Sequence, residues 1–196
     1  MSESFLTAAF LSLSGGLQDA YTYLSRGSVF ANAQTGNIVL FSHSLFEKNF
    51  SGALHYFIPL LFFGIGVAAA EGVHFIFEES NRLHWRQPVL LLEIIILFIV
   101  GFIPDEHNLI ANALVSFSCA MQVQAFRKVH GYSFASTMCI GNIRSGMEAF
   151  CLFVRTQDRL TLQKAAAYFG VIVLFALGAG VGGVLLSYFG LKTIWI

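Results

Sequence analysis

The chain has 196 residues, of which 56% are hydrophobic and only 11% charged, with a formal net charge of zero. Mean hydropathy is +0.70, whereas an ordinary soluble domain carries about a quarter charged residues. One core of this size cannot hide so much apolar surface from water, so a water-soluble globular class is excluded. The neutral balance gives no basic surface for nucleic acid. The three cysteines, Cys119, Cys139 and Cys151, lack metal-type spacing and form no even set. They indicate neither a disulfide framework nor a zinc site and read as buried packing residues.

The apolar residues come in blocks, as a bilayer requires, since a span needs about 20 mostly apolar residues. Seven hydrophobic segments follow in order: Phe5–Leu24, Phe30–Phe46, His55–Phe77, Pro88–Ile103, Leu109–Phe126, Phe134–Val154 and Ala165–Phe189. Met1 to Glu3 lack a basic run, and the first segment continues into Gly15, Gly16, Gln18 and Asp19, so no cleavable signal peptide is expected. Pro59 is expected in the first turn of the third segment and Pro88 at the start of the fourth, where a missing N–H costs least. Tyr21, Tyr23, Tyr56, Trp85, Tyr132, Tyr168, Tyr188 and Trp195 near segment ends suit the headgroup region. The connections Glu78–Gln87 and Arg155–Lys164 are too short to fold alone. The expectation is an all-α polytopic membrane protein, one domain over residues 1–196, with six to seven helical segments.

The second half echoes the first. Ser12, Ser14, Gln18, Gly27, Phe30 and Ala31 recur at constant offset as Ser116, Ser118, Gln122, Gly131, Phe134 and Ala135. Gly36-Asn37-Ile38 returns as Gly141-Asn142-Ile143, and Gly64-x-Gly66-Val67 as Gly178-x-Gly180-Val181. The shared order indicates two three-segment repeats, about 5–77 and 109–189, joined by a linker helix near 88–103. Seven full spans would make the repeats parallel. The second and sixth segments are unusually polar, and if both are re-entrant the repeats become inverted. The distribution of Lys and Arg over the connections leans to the second arrangement, with the N-terminus inside.

Gly15-Gly16-x-x-Asp19-Ala20-x-x-Tyr23-Leu24, then Phe30-x-x-x-Gln34-Thr35-Gly36-Asn37, resembles the signature of YoaK-like bacterial membrane proteins. The second-half echo of that family reads here as Met121-x-x-x-Ala125 with Gln122 and Gln124, followed by Ile140-Gly141-Asn142. Ile140 stands where the family pattern has Thr, which argues against a hydroxyl-dependent role there. The resemblance implies a multi-pass protein of a bacterial cytoplasmic (inner) membrane and supplies no substrate.

Gln34-Thr35-Gly36-Asn37 places two amides, a hydroxyl and a glycine inside a membrane segment, which is costly unless they are partnered. One reading is a helix break that binds a solute or ion; the other is hydrogen-bonded helix packing. Asp19 with Gln18 marks an ion path or an interfacial acid. Gln18 and Gln122, each one turn after a serine, form the symmetric candidate pair. Arg144 and Glu148, four residues apart, either neutralise each other or leave Arg144 to face an anion. Glu71 and Glu93 read as protonatable sites or as acids reaching an interface. Repeat-related glycines, Gly64, Gly66, Gly178, Gly180, Gly182 and Gly183, are expected at close helix contacts.

The candidate solute- or ion-binding residues are therefore Gln18, Asp19, Gln34, Thr35, Gly36, Asn37, Gln122, Gly141, Asn142, Arg144 and Glu148. Asn37 and Asn142 would face each other across one site. The sequence points to a small-solute or ion transporter or channel with no cofactor, metal or catalytic residue. Its partners would be the lipid bilayer, an unknown small solute or ion and other copies of the chain. The alternatives are a membrane enzyme or lipid-handling protein, and a structural or signalling protein whose polar residues are glue.

Overall fold

The computed structural model describes residues 5–77, 84–129, 132–133 and 137–196. Seven α-helices lie among them: α1 Phe5–Ser25, α2 Gln34–Phe46, α3 Phe50–Phe77, α4 Arg86–Val100, α5 Asn108–Ala125, α6 Cys139–Thr156 and α7 Arg159–Phe189. A short antiparallel pairing of Lys128–Val129 with Tyr132–Ser133 follows α5. Gly131, Phe134 and Ala135 of the repeat, Met1 to Glu3 and most of the Glu78–Gln87 connection fall outside the described residues. Two stretches qualify as membrane spans by length and apolar composition alone, Phe50–Phe77 and Arg159–Trp195. The polar residues of α1 and α5, and the 15 residues of α4, keep those helices below that standard.

Helix directions follow from named contacts. Helices α1 and α7 approach closely at glycines of α7: Gly178 meets Leu13, Gly182 meets Leu17 and Ala20, and Gly183 meets Leu24, so the two helices run parallel. In α3 and α5, Gly66 meets Phe117 and Ala120, and Glu71 accepts from the Gln124 amide further along both, so these also run parallel. Against α1, α5 runs the other way. Asn112 donates to the Arg26 carbonyl (2.7 Å), Cys119 to Gln18 (2.7 Å) and Gln122 to the Leu11 carbonyl (3.0 Å). Alpha4 returns beside α5, with Arg86 donating to Ala125 (2.8 Å) at one end and Val100 accepting from Arg26 (3.2 Å) at the other. The largest helix contacts are α1 with α7 and α3 with α5, then α6 with α7 and α2 with α3.

The expected second and sixth segments start late as helices. Alpha2 begins at Gln34 rather than Phe30 and has 13 residues, about 20 Å of helix, short of the roughly 30 Å of a hydrocarbon core. After α1, Gly27 (φ +88°) and Ser28 (φ +61°) turn the chain back. It then runs along α1 until the Asn32 amide donates to the Gly15 carbonyl at 3.3 Å, deep beside the middle of α1. From there α2 leads out again, since His55 near the start of α3 sits 2.7 Å from the Gly27 carbonyl at the end of α1.

Four sequence expectations are corrected. Pro59 lies inside α3, because that helix starts at Phe50, where the Asn49 side chain accepts from Gly52 (3.0 Å). Tyr21 is fully buried instead of lying at the headgroups, its hydroxyl bound by Arg26 at 2.6 and 2.9 Å. Of the cysteines only Cys119 is buried, while Cys151 is exposed. Gly64 and Gly180, expected at close contacts, have nothing within 4 Å of where a Cβ would stand.

Candidate functional site

The centre of the bundle is polar. Gln18 on α1 donates to Ser14 (2.9 Å) and to Glu93 of α4 (3.4 Å), and its carbonyl accepts from the Cys119 thiol of α5 (2.7 Å). One position on, the Asp19 carboxylate accepts the Asn32 backbone N–H at 2.7 Å and is also hydrogen-bonded by the Ala31 backbone. Asp19, Glu93 and the Asn32 side chain all neighbour the Cys119 sulfur. Thr137, which precedes α6, packs its methyl group against Gly15, beside the Asn32 amide. The chain leading into α2 and the chain leading into α6 thus meet at the same glycine of α1. A side chain at Gly15 would push Thr137 away.

The local sequence builds the first of these breaks. Asn37 donates to the Phe30 carbonyl (2.7 Å) and accepts from the Phe30 N–H (3.1 Å). It also donates to Gln34 (2.9 Å), whose own amide donates to Ala31 (2.8 Å). The Phe30 ring lies over Gly36, where a Cβ would come within 3.1 Å of it, and stacks on Tyr23 at 4.4 Å. Gln34, Gly36 and Asn37 therefore clasp the non-helical residues 30–32 and hold the Asn32 backbone N–H toward Asp19. Thr35 is exposed.

Gln122 is buried and reaches across to Leu11, away from the Gln18 contacts, so the two glutamines make different bonds. Asn142 is buried on the stripe of α6 that also carries Gly146 and Ala149 and faces α7. Gly141, Arg144 and Glu148 are exposed on the opposite side of α6. Glu71 joins Gln124, His74 (3.6 Å) and Arg127 (3.9 Å) at the bundle end.

Sequence reasoning read Glu93 as a protonatable site or an interfacial acid without its partners, and it missed two members of the centre, Asn32 and Thr137, and one buried cation. Glu93 is 5% exposed; a lone acid inside an apolar helix is the signal that identifies it. Asn32 and Thr137 lie just ahead of the two helix starts, and only the late start of each helix picks them out. Arg26 is fully buried and donates to Tyr21, Val100, Pro104 (3.3 Å) and Asn108 (3.0 Å). It ties the end of α1 to the turn between α4 and α5. A hollow of about 410 Å³ opens at this same end, lined by Leu24, Asp105, Gly183 and Leu186 among others, and is separate from the buried centre.

Apolar helices facing outward, long enough in two cases to cross a bilayer, around a hydrogen-bonded polar centre define a multi-helix integral membrane protein. Residues 7–196 match the family described as protein of unknown function (DUF1275), and the chain belongs to that family. It is 30% identical over 183 residues to the UPF0700 transmembrane protein YoaK of Bacillus subtilis (strain 168), covering 87% of this chain and 79% of that protein. No solved structure matches the chain.

Proposed function

We propose that this protein is a transporter or channel for a small polar solute or ion in the cytoplasmic membrane of a bacterium. In this reading α1–α3 and α5–α7 are two inverted repeats joined by α4, and the solute passes the centre where the two breaks meet. The observation that carries it is the approach of Asn32 and Thr137 to Gly15 from the two halves of the chain. Irregular backbone at membrane depth is tolerated where it is buried in protein or lines a polar path, and paired breaks at mid-depth mark binding sites of repeat-built transporters.

The helix pairing supports the duplication. Alpha1 packs on α7 as α5 packs on α3, and α2 packs on α3 as α6 packs on α7. The antiparallel course of α1 and α5 supports inversion. Five helices then cross, and the chain termini lie on opposite sides. The two Gly-Asn motifs serve the site by holding the breaks, as the bonds of Asn37 suggest for the first.

A membrane enzyme would need a nucleophile within reach of a base, and Cys119 instead donates to the Gln18 amide oxygen. We favour a non-enzymatic role. Uptake of candidate solutes into vesicles reconstituted with the purified protein tests the proposal. Flux above that of protein-free vesicles supports it. Vesicles that stay tight to sugars, amino acids and monovalent ions alike would leave the polar centre as packing only.

A further inference from the structure

Asp19 and Glu93 bring two carboxylates into the buried centre, yet they are held differently. Asp19 is satisfied by the chain break, taking N–H bonds from Asn32 and Ala31. Glu93 has one partner, Gln18, through Oε1, while its Oε2 is buried with no hydrogen-bond partner. The Asn32 Oδ1 and Thr137 Oγ1 atoms, on the two breaks that meet at Gly15 one turn before Gln18, are also buried and unpartnered. Glu93 is 5% exposed and Thr137 7%. The ion pairs of the described residues involve Glu47 and Glu71, not Asp19 or Glu93. Arg26, the buried cation just past the end of α1, spends its donors on Tyr21, Asn108 and the Val100 and Pro104 carbonyls.

A bare buried carboxylate is among the most costly arrangements in a protein interior, so such a group either takes up a proton or gains a cation. The unpartnered atoms of the cluster are all oxygens, the ligands of hard cations. Among the described residues no three His, Cys, Asp or Glu side chains converge as a metal site, so the charge and donor number fall short of a divalent ion's needs. A single carboxylate oxygen supplemented by neutral amide and hydroxyl oxygens suits a small monovalent cation.

We propose that the polar centre, between α1, α4 and α5 and the chain breaks ahead of α2 and α6, is a sodium site, with Glu93 Oε2 as its charged ligand and the unpartnered Asn32 and Thr137 oxygens as neutral ones. The assignment rests on the transport reading, in which sodium would be the transported or coupled ion. Glu93 belongs to the linker helix, so the site is one-sided although the repeats around it are symmetric. Asp19 acts through the break by fixing Asn32.

The test uses the full-length protein purified in detergent. Binding of radioactive sodium at equilibrium, with choline chloride keeping ionic strength constant, is expected to saturate at about one ion per chain. Thermal stability should rise with sodium and much less with choline. Glu93→Gln should abolish both responses. Glu93→Asp, which keeps the charge and shifts the oxygen by one methylene, should weaken binding at least about tenfold. Glu71→Gln, at the bundle end, should bind as the wild type does. If Glu93→Gln fails to fold, the wild-type isotherm and the Asp variant decide. Absence of saturable sodium binding to the wild type, or binding unchanged in either Glu93 variant, overturns the site. Sodium binding without any solute or ion flux keeps the site and removes the transport reading. Flux without sodium binding does the reverse.

Discussion

The His55 ring nitrogen Nε2 lies 2.7 Å from the Gly27 carbonyl oxygen, which sets the start of α3 beside the end of α1. Between them the chain reaches Gly15 and comes back. The Arg26–Ser28 and Glu47–Asn49 turns therefore belong to the same end of the bundle. Single cysteines placed at Ser28 and Lys48 in a cysteine-free background should react alike with an impermeant thiol reagent added from either side. Opposite labelling of the two positions would mean that α2 crosses the membrane, and the inverted arrangement would fail.

The helical membrane class was legible in the sequence because blocks of apolar residues leave no other solution. The late starts of α2 and α6 were not. Val29 to Ala33 is apolar apart from Asn32, and what keeps it out of the helix is a set of side-chain bonds from Gln34 and Asn37, seven residues away in the longest case. Gln18 and Asp19 were legible as membrane polar residues, but their partners were not. Glu93 and Cys119 are 75 and 101 residues from Gln18, and no periodicity encodes such a meeting. Arg144 and Glu148 attracted notice by charge and spacing, yet they face outward, since only the Asn142, Gly146 and Ala149 stripe of α6 is buried.

Close approach of α1 and α7 depends on particular glycines. A Cβ on Gly16 would run into the Phe175 carbonyl oxygen and the backbone of Ala179, and neither can swing aside. Gly16→Ala should lower stability in detergent by about 1–3 kcal/mol, as overpacking does. Gly64→Ala and Gly180→Ala meet open space and should be neutral, or stabilising by up to about 1 kcal/mol through helix propensity. Thermal unfolding of the three variants side by side checks this. Equal losses would show that the α1–α7 contact is looser than described.

Arg26 gathers five side-chain bonds from α1, α4 and the turn before α5 while fully buried. Arg26→Met strips donors from the Tyr21 hydroxyl, the Asn108 side chain and two carbonyls and should cost about 3 kcal/mol or more. Arg26→Lys keeps the charge but not the planar fork, so it should fall between the two. Melting temperatures of both variants measure this; a lysine variant as stable as wild type would show that charge alone suffices.

Asp158 caps α7, accepting from the Leu160 N–H (3.1 Å) and the Thr161 hydroxyl (2.7 Å), and these bonds hold its carboxyl below the usual range. A lowered folded-state value means the stabilisation is present above the unfolded value of about 4 and is lost as pH falls through the folded one. Asp158→Asn, which keeps an acceptor and removes the charge, should differ from wild type by a constant margin from neutral pH down to about pH 4. Below that the two melting curves should converge. A margin that persists in strong acid would rule out the charged form as the capping species.

Asn37 tests whether the first break is built for the centre it reaches. Its side chain holds Phe30 at both N–H and carbonyl, and Phe30 stands two residues before the Asn32 amide that binds Asp19. Asn37→Ala removes those bonds and leaves the Phe30 backbone groups unpaired, at a cost of about 1–3 kcal/mol. Asn37→Asp keeps the acceptor for the Phe30 N–H but sets a carboxylate against the Phe30 carbonyl and the Gln34 oxygen, so it should be the worse variant of the two. If the clasp serves the site, both should impair flux and sodium binding beyond what their melting temperatures explain, because the Asp19 carboxylate loses a fixed donor. Asp19→Asn in the Asn37→Ala background then adds little, since the two residues act through one contact and their effects should not sum. Additive losses would mean that Asn37 and Asp19 act independently, and the break would then be a packing feature of α2 alone.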